Sequence, residues 1–241
     1  MEDAESYRAF VAERRERILS RLADAAARAG RDPAEVTLLA VSKTVGPEEV
    51  ALAWEAGYRA FGENRPQELN RKLEGAKAYP QMAGARFDMI GNLQKNKINQ
   101  VVGRVALIHS IRSEELAREV SQRSLTHDVV SDVLLEVNVS GEESKSGFSP
   151  DEAREAAERV VALPGIRVQG LMTMAPAGQP DVARRTFCGL RELAEDLRAR
   201  TGLSLPTLSC GMSDDYPIAV EEGSTVVRLG RIVFDPKYVM A

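Results

Sequence analysis

The side chains best suited to chemistry are an amine, two glycine turns and a guanidinium at the end of a buried run. Lys43 follows Ser42 where the apolar run Val36–Val41 ends. An amine kept from water there has a lowered pKa and becomes a nucleophile toward carbonyl carbon. The alternatives are a lysine that runs its stem out to solvent, or one that pairs with Glu63. The stretches Ser209-Cys210-Gly211-Met212-Ser213 and Leu229-Gly230-Arg231 bring glycines for close backbone approach. Backbone amides at such turns suit a phosphate. Arg231 could fork onto two phosphate oxygens or bridge to Asp214 or Asp215, and Ser213 could bind the anion or simply cap a helix. The two acids would repel an anion, so they are expected to cap or to face outward. Arg228 ends a buried run, and a buried cation needs a partner, either an acid or a ligand acceptor.

These groups must be brought together by a chain of 241 residues, long enough for one large domain or two small ones. Its 44% hydrophobic and 28% charged content is that of a globular protein. A net charge of −4 without a basic block speaks against nucleic acid and anionic membrane as partners. Cys188 and Cys210 are spaced neither as a disulfide framework nor as a metal clip. The charged start Met1-Glu2-Asp3 is unlike a signal peptide and no apolar run is long enough for a bilayer, so a cytoplasmic location is expected.

Short β-branched runs alternate with helical periodicity throughout. A helix is predicted over residues 4–29, and strands over 36–41, 58–62, 87–90, 105–110, 133–139, 167–172, 205–209 and 224–229. Helices are predicted between them, opened by Gly46-Pro47, Pro66, Ser113, the capping box at Ser149 and Asp181. Eight strands in about 250 residues fit an α/β fold of the single (β/α)8 TIM barrel type, with an extra N-terminal helix covering the flank beside the abbreviated last helix. A doubly wound sheet would show a Gly-rich turn after its first strand, where this chain has Ser42-Lys43-Thr44. One domain is expected over 1–241. In a barrel, chemistry gathers where strands end. Lys43, Glu63-Asn64, Asn92, His109-Ser110, Asn138, Thr173, Ser209–Ser213 and Arg228–Arg231 all fall there. A carbonyl for Lys43, a phosphate for the glycine turns and an acceptor for Arg228 together describe pyridoxal 5′-phosphate (PLP).

The same residues carry a family pattern. Leu39–Thr44, Phe61-Gly62-Glu63-Asn64 with Gln67-Glu68, and Ile90–Gln94 with Asn96-Lys97 resemble the pyridoxal phosphate homeostasis proteins, the YggS/PROSC family. So do Ser144–Gly147, Gly170-Leu171-Met172, Gly211–Asp215 and Val227–Gly230, and the likeness covers about residues 15 to 235. It implies a barrel similar to the N-terminal domain of alanine racemases, with PLP held as a Schiff base on Lys43. It also implies that Arg228 faces the pyridine nitrogen and that Ser213 and the Gly230 loop hold the phosphate. Asn64, Met212 and Arg231 complete the expected binding set; catalytic residues and metal ligands are not expected. An arginine keeps its proton, so the ring nitrogen beside it stays unprotonated and is a poor electron sink, which favours holding the cofactor over driving chemistry on it.

Three positions depart from the family. Arg231 stands where Thr is usual, Asp88 where His is frequent, and Arg112 where Asp is frequent; the last two changes are read as compensating for each other. Elsewhere, His109 is expected to be a barrel histidine satisfied by neighbours and His127 an inert loop residue. Lys145 could meet phosphate or receive the aldehyde. Cys210 is expected as a small buried thiol, and Met172 and Met174 as packing. The expected function is a PLP carrier or reservoir in the cytoplasm, monomeric, serving apo-forms of PLP-dependent enzymes. The alternatives are an amino-acid racemase of the alanine racemase type, with Tyr216 or Tyr238 as the second base, and an aldolase-type enzyme using Lys43 on a sugar phosphate.

Overall fold

The computed structural model describes residues 2–142 and 145–240, with only the backbone of Glu2 and Asp3. Ser144 of the loop singled out above lies outside them. Among the described residues the strands are β1 (Thr37–Val41), β2 (Ala60–Glu63), β3 (Arg86–Met89), β4 (Leu107–Ile111), β5 (Ser131–Glu136), β6 (Ile166–Met172), β7 (Thr207–Ser209) and β8 (Val226–Leu229). They close in sequence order into a parallel barrel, with β8 pairing back onto β1. Each apolar run of the sequence becomes a strand buried on both faces, as a covered parallel sheet requires.

The helices are α1 (Glu2–Arg28), α2 (Pro47–Glu55), α3 (Pro66–Ala76), α4 (Glu114–Thr126), α5 (Pro150–Val161), α6 (Pro180–Thr201), α7 (Tyr216–Glu221) and α8 (Arg231–Phe234). Their starts follow the caps in the sequence. Ser113 accepts from Leu116 N, and Ser149 and Glu152 form the reciprocal capping box. Gly202, at φ 71°, ends α6 in the left-handed region. α1 packs on α2, α7 and α8, covering the flank that the four-residue α8 leaves thin. One predicted helix is absent. Between β3 and β4 lies only a 3₁₀ segment, Lys95–Gln100, which buries Ile98. The connection carries Gly91 and Gly103 and closes tightly on its neighbour, since a Cβ on Gly91 would lie 2.1 Å from Asn64 O.

Strand register decides what the barrel encloses. Leu39 pairs with Ala60 and with Arg228, Gly62 with Asp88, and Asp88 with Leu107. Glu136 pairs with Met172, Met172 with Ser209, and Ser209 with Val226. Paired residues in a parallel sheet share a face, so all of these point inward. The alternate residues, Phe61, Phe87, Ile108, Val133, Leu171 and Val227 among them, join the large apolar cluster under the helices. Leu39, Ala60 and Val226 form one small interior cluster, and Leu107, Leu134 and Met172 another.

Gly170 sits where the register between β5 and β6 shifts by a residue, at φ 152°. A Cβ there would stand 1.8 Å from Thr207 O on β7. Gly170→Ala is expected to cost more than about 2 kcal/mol, because neither the backbone angle nor the β6–β7 contact admits a methyl group. Thermal unfolding checks it: a Tm unchanged from the parent would show that β7 can move aside.

Candidate functional site

A cavity of about 760 Å³ opens at the C-terminal ends of the strands. Lys43, Asn64, Met212, Ser213, Arg228, Gly230 and Arg231 all line it, although they come from three separate parts of the chain.

Lys43 is exposed at the mouth, but the residue before it is fixed. Ser42 N extends the β1–β2 ladder to Gly62 O, and Ser42 Oγ donates to Glu63 Oε1 at 2.6 Å. Lys72 of α3 donates to Ser42 O at 2.7 Å and to Glu63 Oε1 at 2.5 Å, with both charged side chains wholly buried. Glu63 therefore pairs with Lys72 and not with Lys43, on the helix-facing side of the barrel. Lys72 was not singled out in the sequence. Its signal is there: it occupies the buried stripe of α3 with Pro66 and Leu69, where a lysine without a partner would be too costly.

The glycine turns meet each other. Gly211, at φ 92°, lets the β7 exit pass α7, where a Cβ would come within 2.6 Å of Ala219 Cβ. Its carbonyl accepts from Arg228 N at 2.9 Å. Ser213 Oγ accepts from Ile232 N at 3.3 Å, which joins the β7 loop to the start of α8. Asp215 caps this loop through Met212 N at 2.6 Å, and burial pushes its carboxyl up. Asp214 is exposed and takes Arg231 Nη2 and the hydroxyl of Tyr238, but both it and Asp215 line the cavity, against the expectation that the acids stay clear of it. Arg231 thus borders the cavity with its guanidinium held by Asp214 and stacked 5.5 Å over the Tyr238 ring.

Arg228 is almost wholly buried. Its partners are not carboxylates: Nη1 donates to Ser209 O and Ser209 Oγ at 2.8 and 2.7 Å, and Nη2 to Thr173 O at 3.0 Å. Burial pushes its pKa down. Beside it the wall includes Glu136, a buried inward residue of β5 that accepts from Ser146 Oγ at 2.8 Å. The strand ends at Glu136 and not at Val139 as its apolar run predicts, and the signal for Glu136 is a lone carboxylate at inward parity in that run.

His109 is buried, bonded to Ser209 Oγ at 2.9 Å and Asp88 at 3.0 Å. His127 bonds Asn99 Oδ1 through Nε2 at 3.4 Å, away from the cavity lining. Lys145 donates to Ala175 O at 3.1 Å and pairs with Glu142 at 3.2 Å, and does not line the cavity. Met172 and Met174 do, as well as packing together. Asp88 and Arg112 do not compensate for each other: Asp88 takes Arg86, and Arg112 bonds Asn92.

Residues 15–236 match the family model of the alanine racemase N-terminal domain. The chain is 42% identical to a pyridoxal phosphate homeostasis protein of Aquifex aeolicus, over 92% of this chain and 96% of that protein. PipY of Synechococcus elongatus PCC7942, solved with PLP bound, superposes with a TM-score of 0.81 at 30% identity, covering 93% of this chain and 99% of that one. Alanine racemase from Corynebacterium glutamicum, 16% identical, shares the fold at a TM-score of 0.69, with 97% of this chain and 64% of the racemase aligned.

Cys210, beside the Ser213 loop, is buried and its thiol is pushed up to about 12 by burial. Cys188 on α6 is half-buried and also raised, mainly by burial. Thiolates are the reactive form, so both thiols are expected to resist iodoacetamide in the folded protein at about pH 8 and to react on unfolding. Rapid labelling of Cys210 in the native protein, read by mass spectrometry, would show that the β7 loop opens.

Proposed function

Because this chain belongs to the pyridoxal phosphate homeostasis protein family, within the fold family of the alanine racemase N-terminal domain, we propose that it binds PLP as a Schiff base on Lys43. In this role it carries or stores the cofactor in the cytoplasm for apo-forms of PLP-dependent enzymes. The observation that carries the reading is the convergence on one cavity of an exposed amine, the joined Ser213 and Gly230 turns and the buried Arg228. PipY, solved with PLP bound, supports it.

The residues fit that cofactor. Arg228 has five N–H groups and spends three on Ser209 and Thr173, which leaves two without a protein acceptor among the described residues. Ser213 Oγ retains its own proton for an anion while it accepts from Ile232 N. Bound PLP supplies a reactive aldehyde. Lys43 would hold the cofactor through its amine, by a C=N link that replaces the aldehyde C=O with loss of water. Exposed at the mouth, the lysine stays open to water, so the linkage can be reversed and the aldehyde passed on. Arg228 offers the ring nitrogen a donor that keeps its proton, which withholds the protonated ring that carbanion chemistry needs.

Racemisation requires a base on each face of a substrate carbanion. The hydroxyl of Tyr216 is buried without a partner, and that of Tyr238 is engaged by Ser213 O and Asp214. Neither tyrosine lines the cavity, which favours a carrier over a racemase. Among the described residues no helix is long and apolar enough to cross a membrane. The exposed large hydrophobics Leu125, Val130 and Val239 are few, which supports a monomer.

Lys43→Ala is expected to abolish the borohydride-reducible PLP adduct while leaving thermal unfolding unchanged. Digestion and mass spectrometry read the site, and an undiminished adduct in the variant sinks the assignment, with Lys145 the next amine to examine. Arg231→Thr, which removes a guanidinium committed to Asp214, is expected to change PLP retention by less than about twofold even at high salt. A large salt-dependent loss would show that the guanidinium swings onto the phosphate.

A further inference from the structure

A line of polar side chains crosses the barrel beneath the cavity, and the binding steps above leave most of it unused. It begins at Arg86, at the start of β3, half-exposed at the barrel's other end. Arg86 Nε and Nη2 fork onto the two carboxylate oxygens of Asp88 at 2.9 and 2.8 Å. Asp88 Oδ2 lies 3.0 Å from His109 Nε2 on β4, and His109 Nδ1 lies 2.9 Å from Ser209 Oγ on β7. Ser209 Oγ then accepts from Arg228 Nη1 on β8 at 2.7 Å. Asp88, His109 and Ser209 are wholly buried.

Donor and acceptor counting gives this line one direction. The forked carboxylate of Asp88 only accepts, so His109 Nε2 must carry a proton. The imidazole is wholly buried, and Arg228 and Arg86 stand near it; burial is the largest of the influences that push its pKa down. Burial thus favours the neutral ring over the pull of Asp88, and in the neutral ring Nδ1 is a lone pair. Arg228 only donates, so the Ser209 hydroxyl accepts from it and gives its single proton to Nδ1. With a neutral ring, each bond of the line then has one donor and one acceptor.

Resting on the PLP reading, we infer that Asp88, His109 and Ser209 are positioning residues for Arg228. Through Ser209 they hold the guanidinium in one orientation and direct its uncommitted N–H groups at the ring nitrogen of the cofactor. Arg228 needs such a device because it has no carboxylate to set its plane. The carbonyls of Ser209 and Thr173 each take one proton from its two terminal nitrogens, and the Ser209 hydroxyl at the end of the relay takes the second proton of Nη1.

The test uses the full chain with and without PLP. In the PLP-free protein at neutral pH, nitrogen NMR is expected to report His109 as neutral with its proton on Nε2. A proton on Nδ1, or an imidazolium, overturns the relay. Ser209→Ala removes one oxygen from the line and is expected to fold, being a smaller change than any at His109. It is expected to weaken PLP retention by roughly tenfold, as a buried donor left without its partner does, and to shift the absorption band of bound PLP. His109→Gln is expected to shift the same band. Unaltered retention and an unaltered band in Ser209→Ala overturn the positioning role while leaving the Lys43 linkage standing. A parent protein without a borohydride-reducible adduct on Lys43 overturns the PLP reading and this assignment with it.

Discussion

A closed barrel of parallel strands has an interior without water, and the register of β8 puts a guanidinium there. Arg228 pairs in register with Leu39, so no rotamer places it among the helices. Stripping water from such a cation costs several kcal/mol unless hydrogen bonds replace the water, and here they come from main-chain carbonyls at the ends of β6 and β7. Ser209 O serves twice, accepting from Thr173 N at 3.1 Å in the ladder and from Arg228. The consequence is an interior of two kinds. Leu39, Ala60, Val226 and Leu107, Leu134, Met172 form two apolar clusters, and Arg228, Ser209, His109 and Asp88 thread a polar line between them at the same register positions, with Met172 and Arg228 also lining the cavity.

The second buried charge obeys a different logic. Lys72 and Glu63 lie between barrel and helix, and Glu63 Oε2 has no partner, so the pair is incompletely satisfied. A buried ion pair is poor support for stability, since well-packed apolar groups would do as well or better. What Lys72 does locally is bind the carbonyl of Ser42 while Glu63 binds its hydroxyl. The residue preceding Lys43 is clamped on both sides, and the lysine itself is left free at its tip. An anchored backbone beneath an exposed amine suits a group that must reach a ligand and let it go.

How much of this was legible in the sequence depends on the range of the interaction. Strands came from apolar runs, and helix starts from Ser113, Ser149 and the Pro residues at first-turn positions, because capping and two-faced burial are local. The seven expected binding residues all line one cavity because a βα unit sends its strand end to one rim, whichever neighbours it acquires. The missing helix after β3 was a local failure: polar periodicity was present, but two glycines and a tight β2–β3 contact left room only for 3₁₀ turns. The relay was out of reach for another reason. Asp88, His109, Ser209 and Arg228 sit on four strands, and their contact depends on how the barrel closes, which periodicity does not encode. The notion that Asp88 and Arg112 compensate for each other failed the same way, since inward parity gives Asp88 to His109 and leaves Arg112 near the rim with Asn92.

The charge pattern of the cavity bears on why holding would prevail over catalysis. Glu136 and Asp215 lie near Arg228 without touching it, close enough to favour its charged form against burial. A carboxylate placed directly on the guanidinium would consume the N–H groups that remain free, and a carboxylate in place of the guanidinium would protonate a ring nitrogen and invite carbanion chemistry. Distant acids avoid both effects. They offset part of the desolvation of the cation and leave its donors available. Arg231, which could have added a second charge to the anion end, is instead drawn off by Asp214 and the Tyr238 ring. Under the proposed function a phosphate there would rely on backbone turns and Ser213, groups that bind without a strong ionic grip. Under the proposed function, a firm donor at the ring nitrogen combined with a modest phosphate cradle and a water-exposed lysine gives a site that keeps the aldehyde covalently and still surrenders it.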